Sequence, residues 1–129
     1  MIYLLLTNGF EETEAVVPLD ILRRLGVRVI TVGVGGQYVT GSHNITIKTD
    51  ISLDEVSEEF DMLILPGGMP GTDNLQKSEG VKRLSEKRMR TANILLRYVR
   101  HQKFWVKWVC LSKKTQYASQ GMRNVLKEQ

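Results

Sequence analysis

The chain has 129 residues, of which 42% are hydrophobic and 25% are charged, so its length and composition fit one small globular domain. No stretch approaches the ~20 consecutive apolar residues of a membrane-spanning helix, and the first residues lack the basic leader and cleavage site of a signal peptide. The single cysteine, Cys110, excludes an internal disulfide and agrees with a reducing compartment. We therefore expect a cytoplasmic protein that does not contact membranes.

The net charge of +4 conceals an uneven distribution along the chain. Residues 1–84 carry 7 basic and 12 acidic side chains, a net −5, whereas residues 85–129 carry 11 and 2, a net +9. This pattern indicates either a basic arm for nucleic acid or acidic partners, or an alteration of the sequence near residue 85.

The first third of the chain alternates strand and helix patterns. The continuous apolar run at residues 2–6 predicts a buried central strand. Apolar residues at helical spacing over residues 11–25 predict an amphipathic helix, which Pro18 is expected to kink. Residues 27–34 predict a second strand, and residues 37–51 predict a peripheral hairpin or edge strand.

The next segment repeats the strand-to-helix order. Residues 61–65 predict a short buried strand, residues 66–71 a tight loop, and residues 73–87 a helix. This order is typical of a doubly wound sheet, in which ligands bind beyond the carboxyl ends of the strands. Residues 8–14 and 66–71 should converge there, so candidate functional residues are sought in both segments.

Gly67 and Gly68 follow the third predicted strand directly. Their backbone amides could face an anion or a developing oxyanion, because no Cβ blocks close approach. The same pair could simply form a tight turn with positive φ, which is the commoner use of glycines beside proline.

Glu11, Glu12 and Glu14 lie at the start of the first predicted helix. Acidic residues there most often interact with the helix dipole. One of them could instead point across the cleft, where partial burial would let it hold a proton near neutral pH.

The remaining candidates carry weaker signals. Cys110 has no strand-turn-helix elbow around it and no nearby His or Asp in the sequence, which favours an incidental role. His43 and His101 have no metal-like spacing and adjoin no second candidate ligand, so no metal site is predicted. Aromatic and basic residues interleave in the tail, but no recognised nucleic-acid fold surrounds them.

Residues 9–32 (GFEETEAVVPLDILRRLGVRVITV), then GSHNITIKTD, then residues 61–84 (DMLILPGGMPGTDNLQKSEGVKRL) closely resemble the ThiJ/PfpI family. More narrowly, they resemble the branch that contains the parkinsonism-associated protein deglycase. The resemblance covers residues 1–87, about two thirds of the chain, and includes two motifs in the correct order. It implies an α/β fold with a flavodoxin-like, doubly wound, mainly parallel sheet.

The resemblance also implies a function. Family members with glyoxalase or deglycase activity use a cysteine thiolate on a strained elbow to attack a small reactive carbonyl such as methylglyoxal, without a cofactor. Glu14 matches the glutamate that hydrogen-bonds the cysteine and shuttles protons, and Gly67 and Gly68 match the oxyanion loop. A homodimer is the usual assembly that the resemblance implies.

After Lys87 the resemblance stops. The family continues with a buried strand approximating KYIAAICAAP, whose cysteine is the nucleophile, whereas this chain reads NILLRYVRHQ. Joining the third base of each codon from Ala92 onward to the first two bases of the next codon permits the string YIAAICAAPKVLGKMGL after a lysine. The shifted cysteine would span the codons of Tyr98 and Val99.

These residues predict two segments: residues 1–87 as the N-terminal part of a ThiJ/PfpI domain, and residues 88–129 as an out-of-frame tail. The expected fold is thus C-terminally truncated with an aberrant basic tail. The chain should lack the cysteine elbow and the central strand that leads into it, which predicts inactivity and poor solubility. The alternative is a non-enzymatic binding protein or chaperone-like stress protein whose basic tail contacts nucleic acid or acidic partners; nucleic-acid binding is the less expected outcome.

Overall fold

The computed structural model describes residues 1–90, 94–98 and 108–111, with side-chain detail through residue 86. It contains eight strands within these residues: β1 (Ile2–Leu6), β2 (Val29–Gly33), β3 (Tyr38–Thr40), β4 (Thr46–Lys48), β5 (Ile51–Ser52), β6 (Met62–Leu65), β7 (Ile94–Tyr98) and β8 (Trp108–Leu111). The helices are α1 (Glu12–Arg24), α2 (Gly71–Lys77) and α3 (Glu79–Arg90), with a short 3-10 helix at Leu53–Glu55. No helix among the described residues has the length and hydropathy needed to cross a bilayer.

Six strands form one sheet in the order β5-β2-β1-β6-β7-β8. All neighbouring pairs are parallel except β7 and β8, which are antiparallel. The predicted central position of β1 is confirmed, since it lies between β2 and β6. The mainly parallel sheet with its helices confirms the predicted flavodoxin-like α/β fold.

Strand β1 is buried on both faces, since its side chains alternate between two apolar clusters. Tyr3 and Leu5 pack with Leu75, Val81 and Leu84 of α2 and α3. On the opposite face, the core contains Ile2, Leu4, Leu6 and Ala15, with Leu19 and Leu22 of α1 packed against it. The five residues of β1 are at most 8% exposed, which explains why residues 2–6 form a continuous apolar run in the sequence.

Helix α1 begins one residue later and ends one residue earlier than predicted. Pro18 lies inside it, and the helix runs through that position to Arg24. Arg23 near its C-terminus donates to Asp50 at 2.6 Å, and the same carboxylate accepts from the Thr31 amide at 2.7 Å and hydroxyl at 2.8 Å. This network ties α1 to the edge of the sheet.

The predicted peripheral hairpin is confirmed. β3 and β4 form a separate two-stranded antiparallel sheet, with Val39 opposite Ile47. Ile51 and Ser52 then return to the main sheet beside β2.

The single helix predicted over residues 73–87 is wrong. Ser78 has an extended backbone (φ −74°, ψ 116°) and separates α2 from α3. Its hydroxyl accepts a hydrogen bond of 3.4 Å from the Val81 amide, as an N-cap residue does, so a new helix starts there.

The predicted absence of a strand beside β6 is also wrong. Ile94–Tyr98 pairs in parallel with β6, with Leu65 opposite Arg97, and it pairs with β8 on its other side. Strand pairing uses hydrogen bonds between backbone groups. A short apolar segment with strand propensity can therefore occupy this position without the family's motif. The exposed edge from which poor solubility was predicted is therefore covered by β7.

Candidate functional site

The two candidate loops lie side by side because the strands before them are adjacent and parallel. Ile2 of β1 stands opposite Met62 of β6, and Leu4 stands opposite Ile64. The segment after Leu6 and the segment after Leu65 therefore emerge at the same edge of the sheet, as predicted.

Backbone hydrogen bonds join these loops directly. The Glu11 amide donates to the Gly67 carbonyl at 2.9 Å, and the Gly71 amide donates to the Gly9 carbonyl at 3.1 Å. Such main-chain pairing gives the two loops a fixed relative position without relying on flexible side chains.

The close approach of the loops requires glycine at two positions. A Cβ on Gly9 would lie 2.4 Å from Pro70 Cδ. A Cβ on Gly68 would lie 2.4 Å from both the Glu11 amide nitrogen and the Gly9 carbonyl oxygen, and Gly68 has a φ of +101°. The turn interpretation of Gly68 is thus correct in its geometry, and it leaves a ligand role open.

Glu14 is the acidic residue that reaches across the cleft. It lies in the first turn of α1, is half-buried, and its Oε2 accepts a hydrogen bond of 2.7 Å from the Gly67 amide. The carboxylate therefore contacts the loop that follows β6. A carboxylate at the mouth of a parallel sheet is chemically suited to accept or deliver a proton.

The two glycine amides differ in their surroundings. The Gly67 N–H points at Glu14, so its hydrogen bond is already made. Within residues 1–86, no acceptor takes a hydrogen bond from the Gly68 amide. Of the two amides predicted to face an oxyanion, only that of Gly68 has no hydrogen-bond acceptor in the part of the chain whose side chains are described, residues 1–86.

Glu11 has the structural role that acidic residues usually have at the N-terminus of a helix. It is the N-cap residue of α1, and its carboxylate accepts from the Glu14 amide at 2.7 Å and from the Thr13 hydroxyl at 2.7 Å. These bonds satisfy an otherwise unpaired donor in the first helical turn and orient the backbone that carries Glu14.

Glu12 has a third role, which the sequence did not reveal. Its side chain is only 9% exposed and contacts the turn of the β3–β4 hairpin. Oε1 accepts from the His43 amide at 2.6 Å, and Oε2 lies 3.0 Å from His43 Nδ1 and 3.2 Å from the Ser42 hydroxyl. Sequence spacing missed this pair because Glu12 and His43 meet only through tertiary folding.

Glu12 and His43 each favour the charged form of the other. Burial raises the pKa of Glu12, but hydrogen bonds from the side chain and backbone of His43 and from Ser42 outweigh it and lower the pKa to about 2. The hydrogen bond to Glu12 and its negative charge raise the pKa of His43. An ionised carboxylate and a readily protonated imidazole therefore face each other.

A metal ion is not needed to explain this cluster. Glu11, Glu12 and His43 can each present one ligand atom within 4.8 Å of the others. Both carboxylates already accept hydrogen bonds from the protein, which account for their positions. The prediction of no metal site rested on sequence spacing, which did not foresee that these side chains would meet.

The carboxyl end of β7 lies next to the loop that contains Gly67 and Gly68. Arg97 stands opposite Leu65, so Tyr98 ends β7 one residue further along the same edge. Cys110 lies on the next strand, opposite Leu96 of β7. His101 and Val99 lie outside the described residues.

Comparison with known proteins agrees with this architecture. The model of the DJ-1/PfpI family matches residues 1–121. Parkinson disease protein 7 homolog of Danio rerio is 38% identical over 81 residues, which cover 60% of this chain and 43% of that protein. Deglycase PfpI of Pyrococcus furiosus is 38% identical over 68 residues, which cover 52% of this chain and 41% of that protein.

The crystal structure of DJ-1beta from Drosophila melanogaster superposes with a TM-score of 0.72 at 32% identity, covering 74% of this chain and 53% of that chain. The chain thus matches about half the length of these relatives or less. The family match extends past Lys87, where the resemblance read from the sequence ends. The chain belongs to the DJ-1/PfpI family, also called ThiJ/PfpI.

Proposed function

We propose that the intact reading frame of this gene encodes a cofactor-independent glyoxalase or deglycase that acts on methylglyoxal or its adducts. The observation that supports this most is the 2.7 Å hydrogen bond from the Gly67 amide to Glu14 Oε2. It brings the two family motifs together at one edge of the sheet. Two relatives named deglycase each match 52% of the chain, over 68 residues.

The roles of the residues follow from their positions. A cysteine thiolate would add to the aldehyde carbon, and the negative charge would develop on the former carbonyl oxygen. The Gly68 amide is the donor available to stabilise that oxygen. Glu14 would move the proton between the two carbons of the dicarbonyl, and hydrolysis of the resulting thioester would release a hydroxy acid and the thiol.

We further propose that this chain is itself inactive and that residues 88–129 are an out-of-frame tail. The shifted codons of this segment permit the family's cysteine strand, whereas the cysteine present, Cys110, is on β8 rather than at the carboxyl end of β7. A tail produced in this way needs no selected function to explain its charge of +9. Resequencing codons 84–92 tests the idea, and an unbroken frame that encodes the present sequence would refute it.

An activity assay separates the function from the fold. We expect methylglyoxal turnover by a chain whose frame is restored, background rates for the present chain, and strongly reduced turnover when Glu14→Gln is added to the restored chain. Turnover by the present chain that survives Cys110→Ala would show that the chemistry is placed elsewhere.

The family resemblance also supports a cytoplasmic homodimer for the intact form. The second candidate function is a non-enzymatic or chaperone-like protein whose basic tail binds nucleic acid or acidic partners, and the charge asymmetry is what favours it. Salt-dependent binding of a DNA duplex that disappears when residues 88–129 are deleted would support this function; no such binding by the present chain would remove it.

A further inference from the structure

The β3–β4 hairpin packs Val39 and Ile47 against the same core cluster as α1, and its backbone also hydrogen-bonds to the candidate site. Among the strands that the structure describes, β3 and β4 pair with each other and not with the six-stranded sheet. Backbone hydrogen bonds link the hairpin to the loop after β1. The Gly9 amide donates to the Thr40 carbonyl at 2.8 Å, and the Ser42 amide donates to the Phe10 carbonyl at 2.8 Å.

The turn of the hairpin makes several hydrogen bonds to one carboxylate, that of Glu12. Glu12 holds the Ser42 hydroxyl and both the amide and the imidazole of His43 within 3.2 Å. Gly41 lies so close that a Cβ there would be 2.3 Å from Glu12 Oε1. A buried carboxylate with several donors is a directional anchor, because moving away from those donors would leave the carboxylate itself buried without its partners.

Glu12 and Glu14 belong to the same first turn of α1. Glu12 faces the hairpin, and Glu14 faces the loop after β6 through the Gly67 amide. A displacement of this turn toward or away from the hairpin would therefore move the Glu14 carboxylate relative to Gly67.

We propose that Glu12 is a positioning residue, which uses the β3–β4 hairpin as a buttress to set the distance between Glu14 and the loop after β6. The inference depends on the proposed function only in taking Glu14 as a site residue. The charged groups of α1 and its N-cap that face His43 are Glu12 and Glu11, and both are acidic. Protonation of His43 therefore strengthens the buttress.

The test uses the full chain and needs no enzymatic turnover. Hydrogen exchange measured by NMR follows the Gly67 amide, with the Leu4 amide as the reference for global opening. In Glu12→Ala we expect Gly67 to exchange at least about tenfold faster relative to Leu4. Glu12→Gln keeps an oxygen acceptor, so it should restore most of the protection while the raised pKa of His43, measured by imidazole titration, falls toward its ordinary value.

Two further variants test the contact from the hairpin side. Ser42→Ala with His43→Ala removes two of the donors without altering α1, and it should increase Gly67 exchange in the same direction as Glu12→Ala. Thr46→Val removes only the 2.9 Å contact between the Thr40 and Thr46 hydroxyls within the hairpin, and it should leave Gly67 unchanged.

Unchanged Gly67 exchange in Glu12→Ala, or an increase that matches that of Leu4, would overturn the proposal. An effect of Thr46→Val as large as that of Glu12→Ala would also overturn it, because any loosening of the hairpin would then suffice. If Glu12→Ala does not fold, the double variant decides the question by the same readout. Absence of turnover in a frame-restored chain would refute the proposed enzyme and leave these exchange results unaffected.

Discussion

Gly68 offers a sharp test of how closely the two loops interlock. Alanine at this position must adopt a φ of +101°, and its Cβ must lie 2.4 Å from two backbone atoms of the neighbouring loop, the Gly9 oxygen and the Glu11 nitrogen. Gly35 provides a matched control. It has a φ of +95°, but a Cβ there would have no neighbour within 4 Å.

The magnitude can be worked out from these two sites. Positive φ costs an L-residue about 1–2 kcal/mol, and both variants incur this cost. At Gly68 the overlap is with backbone atoms that are held by the loop hydrogen bonds, and overpacking of that kind adds roughly 1–3 kcal/mol. We therefore expect Gly68→Ala to lower the free energy of unfolding by about 2–5 kcal/mol and Gly35→Ala by about 1–2 kcal/mol.

Urea unfolding followed by circular dichroism measures both losses, with the m-values checked for equality. Failure of Gly68→Ala to fold, while Gly35→Ala folds, would show the same ordering in a stronger form. Equal losses in the two variants would refute the close approach, because the cost would then come from φ alone.

Three further predictions concern acid stability, the α1 network and the core. The pKa of Glu12 is lower in the folded chain than its ordinary value of 4.5, so its contribution to stability is present above about pH 4.5 and is lost as pH falls toward 2. Glu12→Gln should flatten the stability profile in that window, measured by urea unfolding at each pH; an unchanged slope would contradict the assignment. Asp50→Ala should lower the free energy of unfolding by about 1–2 kcal/mol, at the low end for a charged acceptor because the carboxylate is 44% exposed. A loss below the error of the urea measurement would show that its bonds to Thr31 are not stabilising. Leu4→Ala should cost about 2–5 kcal/mol because Leu4 is 0% exposed, whereas Leu25→Ala, at a site 72% exposed, should cost under about 0.5 kcal/mol; thermal unfolding should therefore separate the two variants by many degrees.

Hydrophobic periodicity predicted the elements whose burial is simple. The run of five apolar residues correctly predicted β1. Helical spacing correctly predicted α1. Periodicity failed at Ser78, where a local hydroxyl cap interrupts an otherwise helical pattern. It also failed to show that residues 94–98 form a strand, because the run ILLRY is short and lacks the family's cysteine motif.

The candidate site was predictable only where a motif marked it. Their positions after predicted strands made Gly67, Gly68 and the three glutamates candidates, the resemblance selected Glu14 and both glycines, and the structure brings these three to one edge of the sheet. The sequence could not show that Glu11, Glu12 and Glu14 have different roles, since three nearly adjacent carboxylates look alike in it. Their partners, among them His43, are contributed by remote segments whose positions depend on the tertiary fold.

The loop-to-loop contacts also constrain the order of folding. The bond between Gly67 and Glu14 joins residues 53 positions apart, and the bond from the Asn74 side chain to the Asn8 carbonyl spans 66 positions. Contacts of such long range cannot form until β1 and β6 have paired, because the loop-closure entropy must be overcome first. On the ribosome, these contacts between the loops could form only after about half of the chain has emerged. They therefore report whether β1 and β6 have paired.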